Sequence, residues 1–139
     1  MPTLSRWLIR TALVCCAAAF LLGLALVIAP LRAAYPVLAA AWPTYIHLLV
    51  VGWITQLIMG VAFWMFPRVQ RRPALASDRP GWIVYASINL GLACRLIGEP
   101  VAAAHVGRPL GWLLPLSAAL QLTGVVTFVI GIWPRVRTR

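Results

Sequence analysis

Residues 43–67 read PTYIHLLVVGWITQLIMGVAFWMFP, a proline-bounded stretch with no Arg, Asp or Glu in it. At ~1.5 Å rise per residue, such a run reaches across a hydrocarbon core of ~30 Å as a single helix. Proline lacks an N–H and restricts the residue before it, so it marks helix ends. Working outward, three further apolar runs have similar length. One covers about 7–29 and stops at Pro30. One covers about 81–98, with room to run onward past Pro100. The last covers about 110–133 and stops at Pro134. Short connections make successive helices antiparallel neighbours. The expected fold is an all-α membrane protein: a single domain over 1–139, built as an antiparallel four-transmembrane-helix bundle.

Composition agrees. The chain is 63% hydrophobic and 10% charged, where a soluble domain carries about 25% charged residues. A water-facing surface cannot be made from so few charges, so the expected solvent is the lipid bilayer. The net charge of +10 would suggest nucleic acid in a soluble protein. Here every basic residue is Arg, clustered between the apolar runs, which is a topology signal and not a nucleic-acid footprint. Arg6, Arg10, Arg68, Arg71, Arg72, Arg79, Arg135, Arg137 and Arg139 fall on one side; Arg32 and Arg108 fall on the other. This asymmetry predicts that both termini and the middle loop are cytoplasmic, in a bacterial inner membrane. Trp7, Trp42, Trp82, Trp112 and Trp133 stand near span ends, where aromatic belts form.

The N-terminal run from Thr11 to Ala29 is longer than a signal-peptide core of ~7–15 residues, and is read as a retained helix. Cys15, Cys16 and Cys94 lie in apolar stretches and read as inert thiols. Val14 stands before Cys15 where a lipoprotein signal needs a small residue, which argues against lipidation. A faint internal echo links the second and fourth spans. Gln56-Leu57, Gly60-Val61 and Pro67-Arg68-Val69 are matched by Gln121-Leu122, Gly124-Val125 and Pro134-Arg135-Val136. Common descent from one hairpin and shared end signals explain it equally well.

Polar residues at membrane depth are costly and point to function. His47 lies four residues past Pro43, about 6 Å deeper. It reads either as a histidine hydrogen-bonded between helices or as a metal or haem ligand, since a neutral imidazole can donate one bond and still offer a lone pair. Arg95 and Glu99 are spaced i, i+4 and share a helix face. They form an internal ion pair, or Arg95 grips an anionic group such as a haem propionate while Glu99 orients it. His105 reads as an interfacial, solvated histidine. Gln56, Asn89 and Gln121 are expected to hydrogen-bond between helices. The stripe Gly52, Gln56, Gly60 allows close helix approach, within the bundle or between copies.

The segment His47-Leu48-Leu49-Val50-Val51-Gly52-Trp53, followed by Met59-Gly60 and Phe63-Trp64-Met65-Phe66-Pro67, resembles the second helix of subunit I of the haem–copper oxidase superfamily, in its nitric oxide reductase and cbb3-type branches. In that family an outer-leaflet histidine begins this helix and ligates the low-spin haem. The resemblance covers about 22 residues and implies the same role for His47. Asn89-Leu90-Gly91-Leu92 through Arg95 to Glu99-Pro100 is similar to small membrane proteins grouped with the family. The family's reductase site needs further histidines, and this chain has two in all; its carboxylates are Asp78 and Glu99. A complete oxidase or nitric oxide reductase is therefore not expected. The resemblance implies one haem b, held by His47, Arg95 and Glu99, for electron transfer or haem-linked gas binding. The family's low-spin haem sits between second helices of two four-helix repeats, which implies a homo-oligomer here: a dimer by preference, a trimer if the haem is five-coordinate or absent. A cofactor-free structural or assembly subunit of a respiratory complex, and a small oligomeric transporter, are the alternative readings.

Overall fold

The computed structural model describes residues 1–66, 79–103 and 111–137. Every element among the described residues is helical. Helix α1 spans Thr3–Val27. Two short helices follow, α2 (Ala29–Ala34) and α3 (Pro36–Ala39). Helix α4 covers Trp42–Met65, α5 covers Arg79–Ala103 and α6 covers Leu113–Arg137. Four of these, α1, α4, α5 and α6, are long and apolar enough to cross a membrane, so the chain is an integral membrane protein. A helix of 25 residues is about 37 Å long, longer than the hydrocarbon core, so its ends reach the headgroup region. Trp7, Trp42, Trp82, Trp112 and Trp133 are all exposed near those ends, as interfacial anchors are.

Proline acts differently from the expectation at Pro30 and Pro134, while the third span runs on past Pro100 as the sequence allows. Helix α1 ends at Val27, before Pro30, because Ile28 turns extended (φ −74°, ψ 99°). Pro30 then sits in the first turn of α2, where its missing N–H is no loss. Pro100 and Pro134 lie inside α5 and α6 and do not stop them. Both fall near the C-terminal ends, and transmembrane helices absorb such a defect locally.

Helix α4 changes its winding. It is α-helical over Trp42–His47, π-helical over Leu48–Thr55, and α-helical again over Gln56–Met65. In lipid every backbone group must be satisfied within the protein, and i→i+5 bonding meets that demand as i→i+4 bonding does. Stretches of π-helix are rare and concentrate at functional sites. This one begins at the residue after His47.

The helices approach one another through small residues, as expected where lipid removes the hydrophobic drive for association. The most extensive contact is between α5 and α6. A Cβ added at Gly91 would stand 3.1 Å from the Ser117 carbonyl oxygen, and one at Gly124 2.9 Å from Ile88. Gly98 packs under Leu113 and Leu114. The stripe Gly52, Gln56, Gly60 is used within the bundle: Gly52 meets Cys15 of α1 and Leu92 of α5, and Gly60 meets Leu8 and Ile9 of α1. Leu8, Val84 and Ile88 are fully buried at the centre.

Candidate functional site

His47 closes the first α-helical part of α4. Its Nδ1 lies 2.8 Å from the Pro43 carbonyl oxygen. A carbonyl only accepts, so Nδ1 donates, and in the neutral ring Nε2 keeps its lone pair. A ring held this way is poised as metal-ligating histidines are, one nitrogen fixed by a backbone carbonyl and the other offered.

Glu99 comes to the same place from α5, with only 8% of its side chain exposed. Its Oε2 accepts a hydrogen bond from the Thr44 hydroxyl. Its Oε1 stands 2.8 Å from Arg95 Nε and 3.6 Å from His47 Nδ1. The three residues singled out from the sequence therefore form one cluster, and Thr44 joins it. Thr44 lies one helical turn before His47, which was the available signal for it. The Arg95–Glu99 contact is an ion pair without alignment: Arg95 Nε and Glu99 Oε1 are buried, yet neither has a hydrogen-bond partner. The guanidinium is thus close enough to neutralise the carboxylate without spending its Nε–H on it. His47 and Arg95 each keep 24% of the side chain exposed, so the cluster opens at the surface of the bundle.

A second polar network crosses deeper in the bundle. The Thr11 hydroxyl of α1 donates to Gln56 Oε1 of α4. Gln56 Nε2 donates to Asn89 Oδ1 of α5 at 3.3 Å, and Asn89 Nδ2 donates to the Tyr85 carbonyl at 2.8 Å. Gln56 is fully buried. The expected interhelical role holds for Gln56 and Asn89 and not for Gln121, whose Nε2 bonds Ser117 Oγ on its own helix at 3.2 Å. The bond between α5 and α6 is made instead by Ser117, whose hydroxyl donates to the Gly91 carbonyl at 2.7 Å. Gly91 has no side chain to keep Gln121 and Ser117 away, so the backbone itself becomes the partner.

A groove of about 360 Å³ runs along Phe20, Gly23, Leu24, Val27, Trp42 and Tyr45; none of the four cluster residues lines it. Among the described residues no group of three or more His, Cys, Asp or Glu could hold a metal ion. His105, Asp78, Arg68, Arg71, Arg72, Arg108 and Arg139 lie outside the described residues. No family model, curated protein or solved structure matches the chain.

Proposed function

We propose that this chain is a small b-type haem-binding membrane protein, serving electron transfer or haem-linked gas binding. The observation that carries the reading is the convergence of His47, Arg95 and Glu99, from two helices, with Nε2 of the histidine left as an acceptor. The donor set suits the group. His47 supplies one axial nitrogen. Arg95 supplies a planar fork of donors suited to a propionate carboxylate. Its buried, unbonded Nε–H is a donor in want of an acceptor. Glu99, anchored by Thr44, fixes Arg95 in place and balances its charge. The haem, when bound, supplies the redox or gas-binding chemistry; the protein ligates, anchors and shields it from water.

The proposal extends to arrangement and assembly. The helices form an antiparallel bundle, a reading supported by the pairings of Gly98 with Leu114, Gly91 with Gln121 and Gly124 with Ile88. The arginine-rich ends face the cytoplasm of a bacterial inner membrane. A low-spin haem needs two strong axial ligands, and the partial exposure of His47 at the bundle surface favours a second copy supplying the other. The assembly is then a homodimer with one haem between two His47 side chains.

The test is the visible absorption spectrum of protein purified from haem-replete cells, with His47→Ala beside it. The expected result is about half a haem per chain and a six-coordinate low-spin signal, both absent from the variant. A full haem per chain with a high-spin spectrum would overturn the shared-haem dimer while leaving His47 as a ligand. Haem-free protein would overturn the whole reading in favour of a structural or assembly subunit, or a transporter.

A further inference from the structure

Among the described residues, no carboxylate stands at the basic end of α1. Arg6 and Arg10 are both exposed and stand i, i+4, on one face of the helix. Among the described residues the carboxylate side chain is that of Glu99. It lies 18 positions beyond Gly81, which itself packs on Leu4, so it is about 27 Å along the bundle from the level of Leu4. The first turn of α1 adds positive potential of its own, with no acidic residue and no side-chain cap over its N–H groups. Trp7, 46% exposed, sits between the two arginines at the depth where indoles meet headgroups.

Below this pair the same face continues as apolar side chains. Leu13, Val14, Ala17 and Leu21 are all exposed and follow one another at i, i+3 and i, i+4 from Arg10. From Leu13 to Leu21 the lane descends about 12 Å, close to the depth of one leaflet of the ~30 Å core. Two further arginines at this end are differently engaged: Arg135 lies over the Phe63 ring at 5.6 Å, and Arg79 also has a partner.

We propose that Arg6 and Arg10, with the exposed lane beneath them, form a binding site for an anionic glycerophospholipid. The two guanidinium groups clasp the headgroup phosphate, and the acyl chains lie along Leu13, Val14, Ala17 and Leu21. Charge selects the headgroup and the apolar lane makes the ligand a lipid. The site lies at the opposite end of the bundle from His47 and stands whether or not haem is bound.

The experiment uses the full chain in nanodiscs of equal parts phosphatidylglycerol and phosphatidylcholine with identical acyl chains, followed by native mass spectrometry of the lipids retained. Each arginine near the surface contributes about fivefold, so the pair should favour phosphatidylglycerol by about twenty-fivefold. Arg6→Gln with Arg10→Gln should bring the ratio close to one. Arg32→Gln, an exposed arginine at the other end, should leave it unchanged. Arg6→Lys with Arg10→Lys keeps the charge and should retain most of the preference, which separates loss of the site from loss of the fold. Equal retention of both lipids by the unaltered protein, or undiminished preference in the double glutamine variant, would overturn the proposal. So would complete displacement of the lipid by millimolar inorganic phosphate, since that ligand has no use for the lane.

Discussion

Removing either charge from the Arg95–Glu99 pair should destabilise the bundle far more than removing both. With Arg95→Leu, the Glu99 carboxylate stays 8% exposed, keeping only the Thr44 hydroxyl and the histidine 3.6 Å away. Breaking a buried pair costs about 3–5 kcal/mol. The partial opening of Arg95 to the surface places this case at the low end, about 3 kcal/mol. With Glu99→Leu, the guanidinium can extend its stem toward the membrane boundary, and the cost falls to about 2 kcal/mol. The double variant replaces two ions with two apolar side chains facing an apolar solvent, and should lie within about 1–2 kcal/mol of the parent. The coupling energy is then about −3 to −4 kcal/mol. Reversible unfolding in mixed micelles, followed by far-UV circular dichroism, measures it. Additive effects, within about 0.5 kcal/mol, would refute the reasoning, because they would mean that the two side chains do not compensate each other. The haem readout then separates anchoring from stability. If Arg95 holds a propionate, the double variant regains stability but not haem.

Two other outcomes are expected. Gly91→Ala should destabilise the bundle by about 1–3 kcal/mol, because the new Cβ presses on the Ser117 carbonyl at 3.1 Å. Gly131→Ala, with nothing within 4 Å, should be neutral or stabilising by up to about 1 kcal/mol in the same unfolding assay; equal effects would discredit the close packing of α5 on α6. In a cysteine-free background, an impermeant thiol reagent should label Arg32→Cys from the outside of intact cells and Arg137→Cys only after the membrane is opened, and the reverse pattern would invert the proposed orientation.

The four spans were legible because a bilayer imposes one length and one polarity on every crossing, and residues 43–67 meet both without help from the rest of the chain. The Arg95–Glu99 contact was legible for a similar reason, since i, i+4 spacing is local. The meeting of these two with His47 was not: it depends on how α4 and α5 pack, and no spacing between positions 47 and 99 encodes that. Thr44 shares a helix face with His47 but carries no functional signal in the sequence, because a threonine in a helix usually bonds its own backbone, as Thr123 does to the Ala119 carbonyl. The echo between the second and fourth spans hid a divergence. Gln56 reaches across to α5, while Gln121 turns back to Ser117; the same residue finds different partners because α4 has neighbours on both sides at that level. The π stretch left no trace in composition, as Leu48–Thr55 contains residues common in any transmembrane α-helix.

That stretch has a consequence for how this protein can change length. A π segment is, in effect, an α-helix holding one residue too many. Deleting one residue from an ordinary transmembrane helix turns everything beyond the gap by about 100°, pulling one half off its partners. In α4 a deletion between Leu48 and Thr55 would instead let the segment relax to α winding. His47 would stay beside Glu99, and Gln56 would stay beside Thr11 and Asn89. The middle of α4 is therefore a place where the chain can lose a residue and keep its contacts above and below.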